Sequence, residues 1–186
     1  MESGGTFVQG YNSQLAVDEE HQIIVAQDVA NQPPDNGNFV PMAEQVVENC
    51  GQAPEAMSAD AGYWSPEASR GAEKLGTDAY ISTERRKHWQ TDTIVPEGPP
   101  PDDADELRKM RHKLRTTAGR AIYARRKAIV EPVNGQIKEA RGFRRFLLRG
   151  LDKVRAEWAL VCTAHNLLKL YRSRPTAVLA AGLAVR

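Results

Sequence analysis

Two β-favouring segments, residues 7–17 and 22–29, lie either side of Asp18-Glu19-Glu20-His21, a pattern that predicts a hairpin. Residues 31–38 contain Pro33-Pro34-Asp35-Asn36-Gly37 and form a loop by composition. Val40, Met42, Ala43, Val46 and Val47 suit a helix over 39–49 that ends near Cys50-Gly51. The short apolar run Ala56-Met57-Ser58-Ala59 reads as a buried strand that delivers Asp60 at its C-terminal end. Ser65-Pro66-Glu67 is a helix start, a hydroxyl cap followed by proline at the first helical position. That helix runs to about Lys74 with Gly76 as its stop, and residues 78–81 form the next strand. Residues 84–106 are polar, carry Pro96, Pro99, Pro100 and Pro101, and read as a loop or insertion. Helical propensity returns over 105–116, is interrupted at Gly119, continues over 120–130 and restarts near Glu131-Pro132. In the last helix Leu151, Val154, Trp158, Val161, Leu168 and Tyr171 recur at three- and four-residue steps, and Leu160, Ala164 and Leu167 widen the stripe that packs on a sheet. Residues 172–186 are a tail of small residues. Hairpin, helix, strand, helix, strand and then basic helices define an α/β chain, a mixed sheet with helices against it.

Composition changes this picture in one respect. The 186 residues include 41% apolar and 26% charged positions, ordinary for a globular domain with a real core. No run approaches the ~18 apolar residues of a membrane span, and Met1-Glu2-Ser3-Gly4-Gly5 lacks the features of a secretory signal. Cys50 and Cys162 read as free thiols. The net charge of +1 conceals a division: residues 1–106 hold 20 acidic against 5 basic side chains, and residues 107–186 hold 4 against 20. Either an acidic face docks a basic one within the fold, or the basic surface meets a polyanion such as nucleic acid.

Two carboxylates then stand out. Asp60 follows an apolar strand, where α/β folds commonly bind ligands. Glu131 is a rare acid in the basic half, between Lys127 and Lys138, in a field that keeps it ionised. Carboxylates brought together from separate elements hold hard divalent ions, and paired ions activate a nucleophile and a leaving oxygen on phosphorus. Structural roles are equally open to both residues, Asp60 capping a turn and Glu131 capping a helix that begins at Pro132.

Gly10-Tyr11-Asn12-Ser13-Gln14 with Ala16-Val17-Asp18, Ala59-Asp60-Ala61-Gly62-Tyr63-Trp64-Ser65, and Val130-Glu131-Pro132-Val133-Asn134-Gly135-Gln136-Ile137-Lys138 resemble the C-terminal half of DDE-class insertion-sequence transposases. The nearest branch is IS1182-like, related to IS4 and IS5 elements. Gly142-Phe143-Arg144-Arg145-Phe146 and residues 158–170 extend the resemblance over most of 4–171. It implies an RNase H-like catalytic core, of which residues 1–171 are the C-terminal portion. It also implies an Asp, Asp, Glu triad with two magnesium ions, manganese serving as a substitute.

By residue-for-residue placement Asp60 is the second aspartate and Glu131 the glutamate, both catalytic and both metal ligands. Lys138 is expected to hold transposon-end DNA. Lys127 stands where many relatives carry Arg, and Arg126, Arg141, Arg144 and Arg145 complete the expected phosphate-holding set. Ala124 occupies the place of a usual tyrosine, with Tyr123 adjacent. The first aspartate is expected on a strand upstream of Gly10. Asp18, in the hairpin turn, and Asp28, ending the second hairpin strand, are poor replacements, so the resemblance implies a core incomplete at its N-terminus. The implied activity of the complete enzyme is metal-dependent DNA strand cleavage and transfer, by a homodimer acting on double-stranded transposon ends and target at the bacterial nucleoid, in the cytoplasm. The alternative is a non-catalytic DNA-binding module or a decayed transposase remnant.

Overall fold

The computed structural model describes residues 2–3, 6–7, 10–84, 94–95 and 97–173. Most of the expected loop over 84–106 that precedes Glu97, and the tail from residue 174, lie outside the described residues. β1 (Glu2–Ser3) and β2 (Thr6–Phe7) form a two-residue antiparallel ladder of their own. The hairpin is therefore shorter at its start than the apolar pattern predicts. It consists of β3 (Asn12–Val17) and β4 (Ile24–Ala30), with Asn12 opposite Ala30 and a bulge between Ala16 and Val17. Asp18 makes the turn: its carboxylate accepts from the main-chain N–H groups of His21, at 2.7 Å, and Ile23. Gln22 sits in the left-handed region at φ 57°.

Helix α1 (Phe39–Cys50) follows the proline-rich loop and leads to β5 (Ala56–Ala59). Ser65 Oγ accepts from Ala68 N at 3.0 Å and starts α2 (Pro66–Lys74). That helix is the crossover which lets β6 (Asp78–Ile81) pair parallel to β5. Asp105 caps α3 (Glu106–Arg115) by accepting from Arg108 N at 2.7 Å. Thr116 then caps α4 (Thr117–Gly135).

Two of the expected helix boundaries move. The break lies at Thr116, and Gly119 belongs to the first turn of α4, where an added Cβ would stand 1.9 Å from Lys113 O. Glycine there permits the end of α3 to abut the start of α4. Nor does a new helix begin at Pro132: α4 runs through it, continues as a π-turn over Gln136–Ala140, and leaves Glu131 inside the helix rather than capping one. The last helix, α5 (Leu151–Ser173), buries Val154, Trp158, Cys162 and His165. Its stripe is narrower than the pattern implies, since Leu160 is 70% and Leu167 61% exposed.

The result is a mixed α/β fold with small sheets and flanking helices. Among the described residues the strands form three two-stranded sheets, β1–β2, β3–β4 and β5–β6, rather than one. One core gathers Phe39, Ala72, Tyr80, Ile81, Met110 and Leu114 beside β5–β6. A second gathers Val29, Val133, Ile137, Val154, Trp158 and Cys162 beside the hairpin, and a smaller third holds Ala26, Met42 and Val46. Helix α4 joins the first two, with Ile122 and Tyr123 packed on the first and Val133 within the second. Both cysteines are free; burial pushes the Cys162 thiol up to about 12, which keeps it protonated.

His165 is fully buried, with Nε2 3.0 Å from Gln22 O and Nδ1 3.3 Å from Arg141 Nη1. A neutral ring suits both contacts, its Nε2–H donating to the carbonyl and Nδ1 accepting from the guanidinium. Burial holds its pKa below the ordinary value; the Gln22 carbonyl opposes this, and Arg141 and Lys169 add to it. Unfolded, the imidazole protonates near about 6.5. As the pH falls through that value the unfolded chain gains protons first, so stability is lost until the folded ring also titrates. The melting temperature should therefore fall between pH 7 and 5, and fall less in His165→Gln; parallel curves would remove His165 as the cause.

Candidate functional site

Asp60 stands where β5 ends. Its extended backbone caps the 3-10 turn Ala61–Tyr63, and Oδ1 accepts from Gly62 N at 3.0 Å. The turn-capping role open to it from the sequence is thus realised, and the exposed carboxylate has a second oxygen to offer.

The acid that the structure brings up to Asp60 is Asp35. A Cβ built on Gly62 would lie 2.8 Å from Asp35 Oδ2 and 3.2 Å from Asp60 Oδ1, so the missing side chain leaves a cradle flanked by two carboxylate oxygens. Asp35 is held from behind, with Oδ1 accepting from Asn12 Nδ2 and from Gln14 Nε2, the latter at 2.9 Å. Gln14, 2% exposed, spends its other amide atom on the hydroxyl of Tyr63. Burial first, and then the charges of Asp35 and Asp60, raise the Tyr63 phenol above its ordinary range, with Arg126 pulling the other way. The protonated hydroxyl therefore donates to Gln14 Oε1 at any physiological pH. Asn12, Gln14, Asp35, Asp60 and Tyr63 form one network from β3, the proline-rich loop and the end of β5.

Sequence reasoning missed Asp35, reading it as part of a loop. An acid followed by Asn36-Gly37 just before a helix was the available signal, and its carbonyl does accept from Asn38 N at 2.9 Å to close the turn.

Glu131 is exposed on α4 and forms no metal-holding group with this pair. Among the described residues no three His, Cys, Asp or Glu side chains form a group able to hold a metal ion. The two carboxylate oxygens over Gly62 are donors of the kind that hard divalent ions take.

The predicted basic residues divide by environment. Lys127, Lys138 and Arg145 are exposed and enter no ion pair among the described residues. Arg120 shares the face of Lys127 and Glu131 at helical spacing and is exposed too. Arg144 is exposed but paired with Glu139. Arg141 is half-buried against His165, and Arg126 is half-buried with its guanidinium 5.6 Å from the Tyr123 ring centre. The first reading of the divided charge, an acidic face docking a basic one, is realised in part. Arg125–Glu19, Arg155–Asp28 and Lys113–Asp78 join basic half to acidic half, while one face of α4 keeps its cations for solvent.

Residues 100–171 match the family model described as a transposase DDE domain. The match spans α3, α4 and α5 and includes Lys127, Glu131 and Lys138, whereas Asp35 and Asp60 precede it. No curated protein and no solved structure matches the chain. Among the described residues no helix is long and apolar enough to cross a membrane.

The network makes a specific demand on Gln14. Replacing it with leucine leaves the Tyr63 hydroxyl without its buried acceptor and removes one donor from Asp35. Gln14→Leu should cost on the order of 1–3 kcal/mol in urea unfolding, although leucine is the more apolar residue. Unchanged or increased stability would show that the network does not hold the acidic pair in place.

Proposed function

We propose that this chain is part of a DDE-type transposase and handles double-stranded DNA across the exposed basic face of α4. The family match over residues 100–171 carries the reading, because the matched stretch presents the unpaired cations Lys127, Lys138 and Arg145. Lys127, Lys138 and Arg145 hold backbone phosphates, and such contacts position DNA without reading its bases. Asp60 is the second aspartate of the expected triad and Glu131 the glutamate. Asp35, set beside Asp60 over Gly62, adds an oxygen donor that the resemblance does not supply. A divalent ion such as magnesium, when bound by these carboxylates, supplies Lewis acidity at a phosphodiester oxygen. Gln14 and Asn12 fix the orientation of Asp35 through their amides. An RNase H-like core, an IS1182-like branch and homodimeric action on transposon ends belong to the same reading.

Fluorescence anisotropy with duplex DNA over a salt series tests the binding step. Affinity should fall steeply with salt, and Lys138→Ala should weaken binding similarly on all sequences while reducing the salt slope by about 1. Salt-independent affinity would sink the proposal.

A non-catalytic DNA-binding role is the second reading, favoured by the position of Glu131 outside the Asp35–Asp60 pair. Supercoiled plasmid with magnesium, and separately with manganese, separates the two. Cleavage lost in Asp60→Ala supports the catalytic reading, and binding without cleavage supports the second.

A further inference from the structure

We infer that the loop over residues 142–150 is a wedge for double-helical DNA, with Leu147 and Leu148 at its tip entering between adjacent base pairs. Arg145 and Arg149 hold the phosphates on either side. The inference rests on the DNA-handling role proposed for the face of α4 and gives this loop a separate act, unstacking the bases of the duplex which that face holds. The loop, Gly142-Phe143-Arg144-Arg145-Phe146-Leu147-Leu148-Arg149-Gly150, joins the π-turn after α4 to the start of α5. Both end glycines have positive φ, 69° and 91°, so each makes a bend that other residues rarely adopt.

The first argument is how the loop sorts its apolar side chains. Phe143 and Phe146 turn inward onto Trp158, with ring centres 6.2 and 6.1 Å from it, and Phe146 meets Tyr11 edge-on at 5.9 Å. The two leucines turn outward. Leu147 is 75% exposed, more than any other large apolar side chain among the described residues, and Leu148 is 46% exposed. Apolar residues scattered singly over a surface need no explanation. Two adjacent leucines at the tip of a loop, carried between arginines, form a compact apolar point in a cationic setting.

The second argument is stiffness. A wedge must be held from behind, because the stacked bases it parts resist it. Glu157 of α5 accepts from Leu147 N at 2.9 Å and from Leu148 N at 3.0 Å, so one carboxylate pins the main chain of the tip itself. Gly150 N donates to the Tyr11 hydroxyl at 2.9 Å, and Phe143 N donates to Ile137 O at 3.1 Å. The tip is thus fastened to α5, and the two ends of the loop to the residue before β3 and to the π-turn.

The third argument is charge. Arg145 and Arg149 are exposed and enter no ion pair among the described residues, whereas Arg144 is spent on Glu139. One stands two residues before Leu147 and the other directly after Leu148, a free cation on each side of the apolar tip. Lys138 lies on the π-turn to which the loop is tied, so the wedge extends the cationic surface proposed to hold phosphates. Duplex DNA meets both needs at once, an apolar stack of bases between two rows of phosphates. Leucine is among the side chains that enter base steps in proteins that kink DNA, with basic residues beside it. A lipid surface takes leucines beside arginines too, but through a longer apolar face than two side chains provide.

The test uses the full chain and a short duplex with 2-aminopurine in a central TA step, a step that unstacks readily. At saturating protein the probe's fluorescence should rise, because leaving the stack relieves its quenching. Leu147→Ala with Leu148→Ala, its circular dichroism spectrum unchanged, should lose that rise while the slope of affinity against salt stays the same. Replacing both leucines with methionine should keep the rise, and Arg145→Ala should lower the salt slope by about 1. A bound duplex whose probe stays quenched overturns the inference and leaves the DNA-binding proposal standing. A rise that survives the double alanine change overturns it as well. No salt-dependent DNA binding at all removes both. Vesicles of phosphatidylcholine and phosphatidylserine form a parallel arm. Vesicle binding that needs both leucines, with no rise on DNA, assigns the tip to a lipid surface and overturns the inference.

Discussion

Pro132 carries no amide hydrogen, so the helix that passes through it orphans the carbonyl four residues back, on Ala128. That carbonyl accepts instead from Gln22 Nε2 at 3.2 Å, and much of the fold depends on the residue that reaches it. Gln22 stands in the left-handed region at the hairpin turn. Its main-chain oxygen receives His165 Nε2 at 3.0 Å and its side-chain oxygen receives Lys169 Nζ at 2.8 Å. One strained turn residue thus binds hairpin, α4 and α5 together. The strain of order 1–3 kcal/mol that a non-glycine residue meets there persists because three separate contacts over-determine it.

The same economy governs charge. Cross-half ion pairs such as Arg155–Asp28 are roughly half exposed, so each contributes little to stability. Their effect is selective: they neutralise the cations that face the acidic strands and leave those of the outer α4 face uncompensated. Repulsion along that face is a standing cost that an anionic partner would relieve.

What the sequence made legible follows from the range of the forces involved. Ser65 before Pro66, the turn acid Asp18 and the apolar run over 56–59 act within a few residues, and the elements they predict are present. Continuity through Pro132 was hidden, because its compensation comes from Gln22, 106 residues before Ala128. Gly119 was misread for a related reason, since its closeness to Lys113 O exists only after two helices meet. In the site, Asp60 was legible from the strand before it. Asp35 was not, because its partners Gln14 and Asp60 are brought to it by tertiary folding.

Helix α4 walls the groove between β3 and β5, which Tyr63 of the acidic network also lines. Ile129 and Val130 form part of the groove wall, and Glu131 is the next residue of the same helix. Arg126, one turn earlier, faces both the groove and the Tyr63 phenol that stands beside Asp60. A helix moves as a rigid rod over such a span, about 7.5 Å of rise from 126 to 131. Glu131 and Arg126 ride on neighbouring turns of α4, so the packing of that helix against β5 sets where both stand relative to Tyr63 and Asp60.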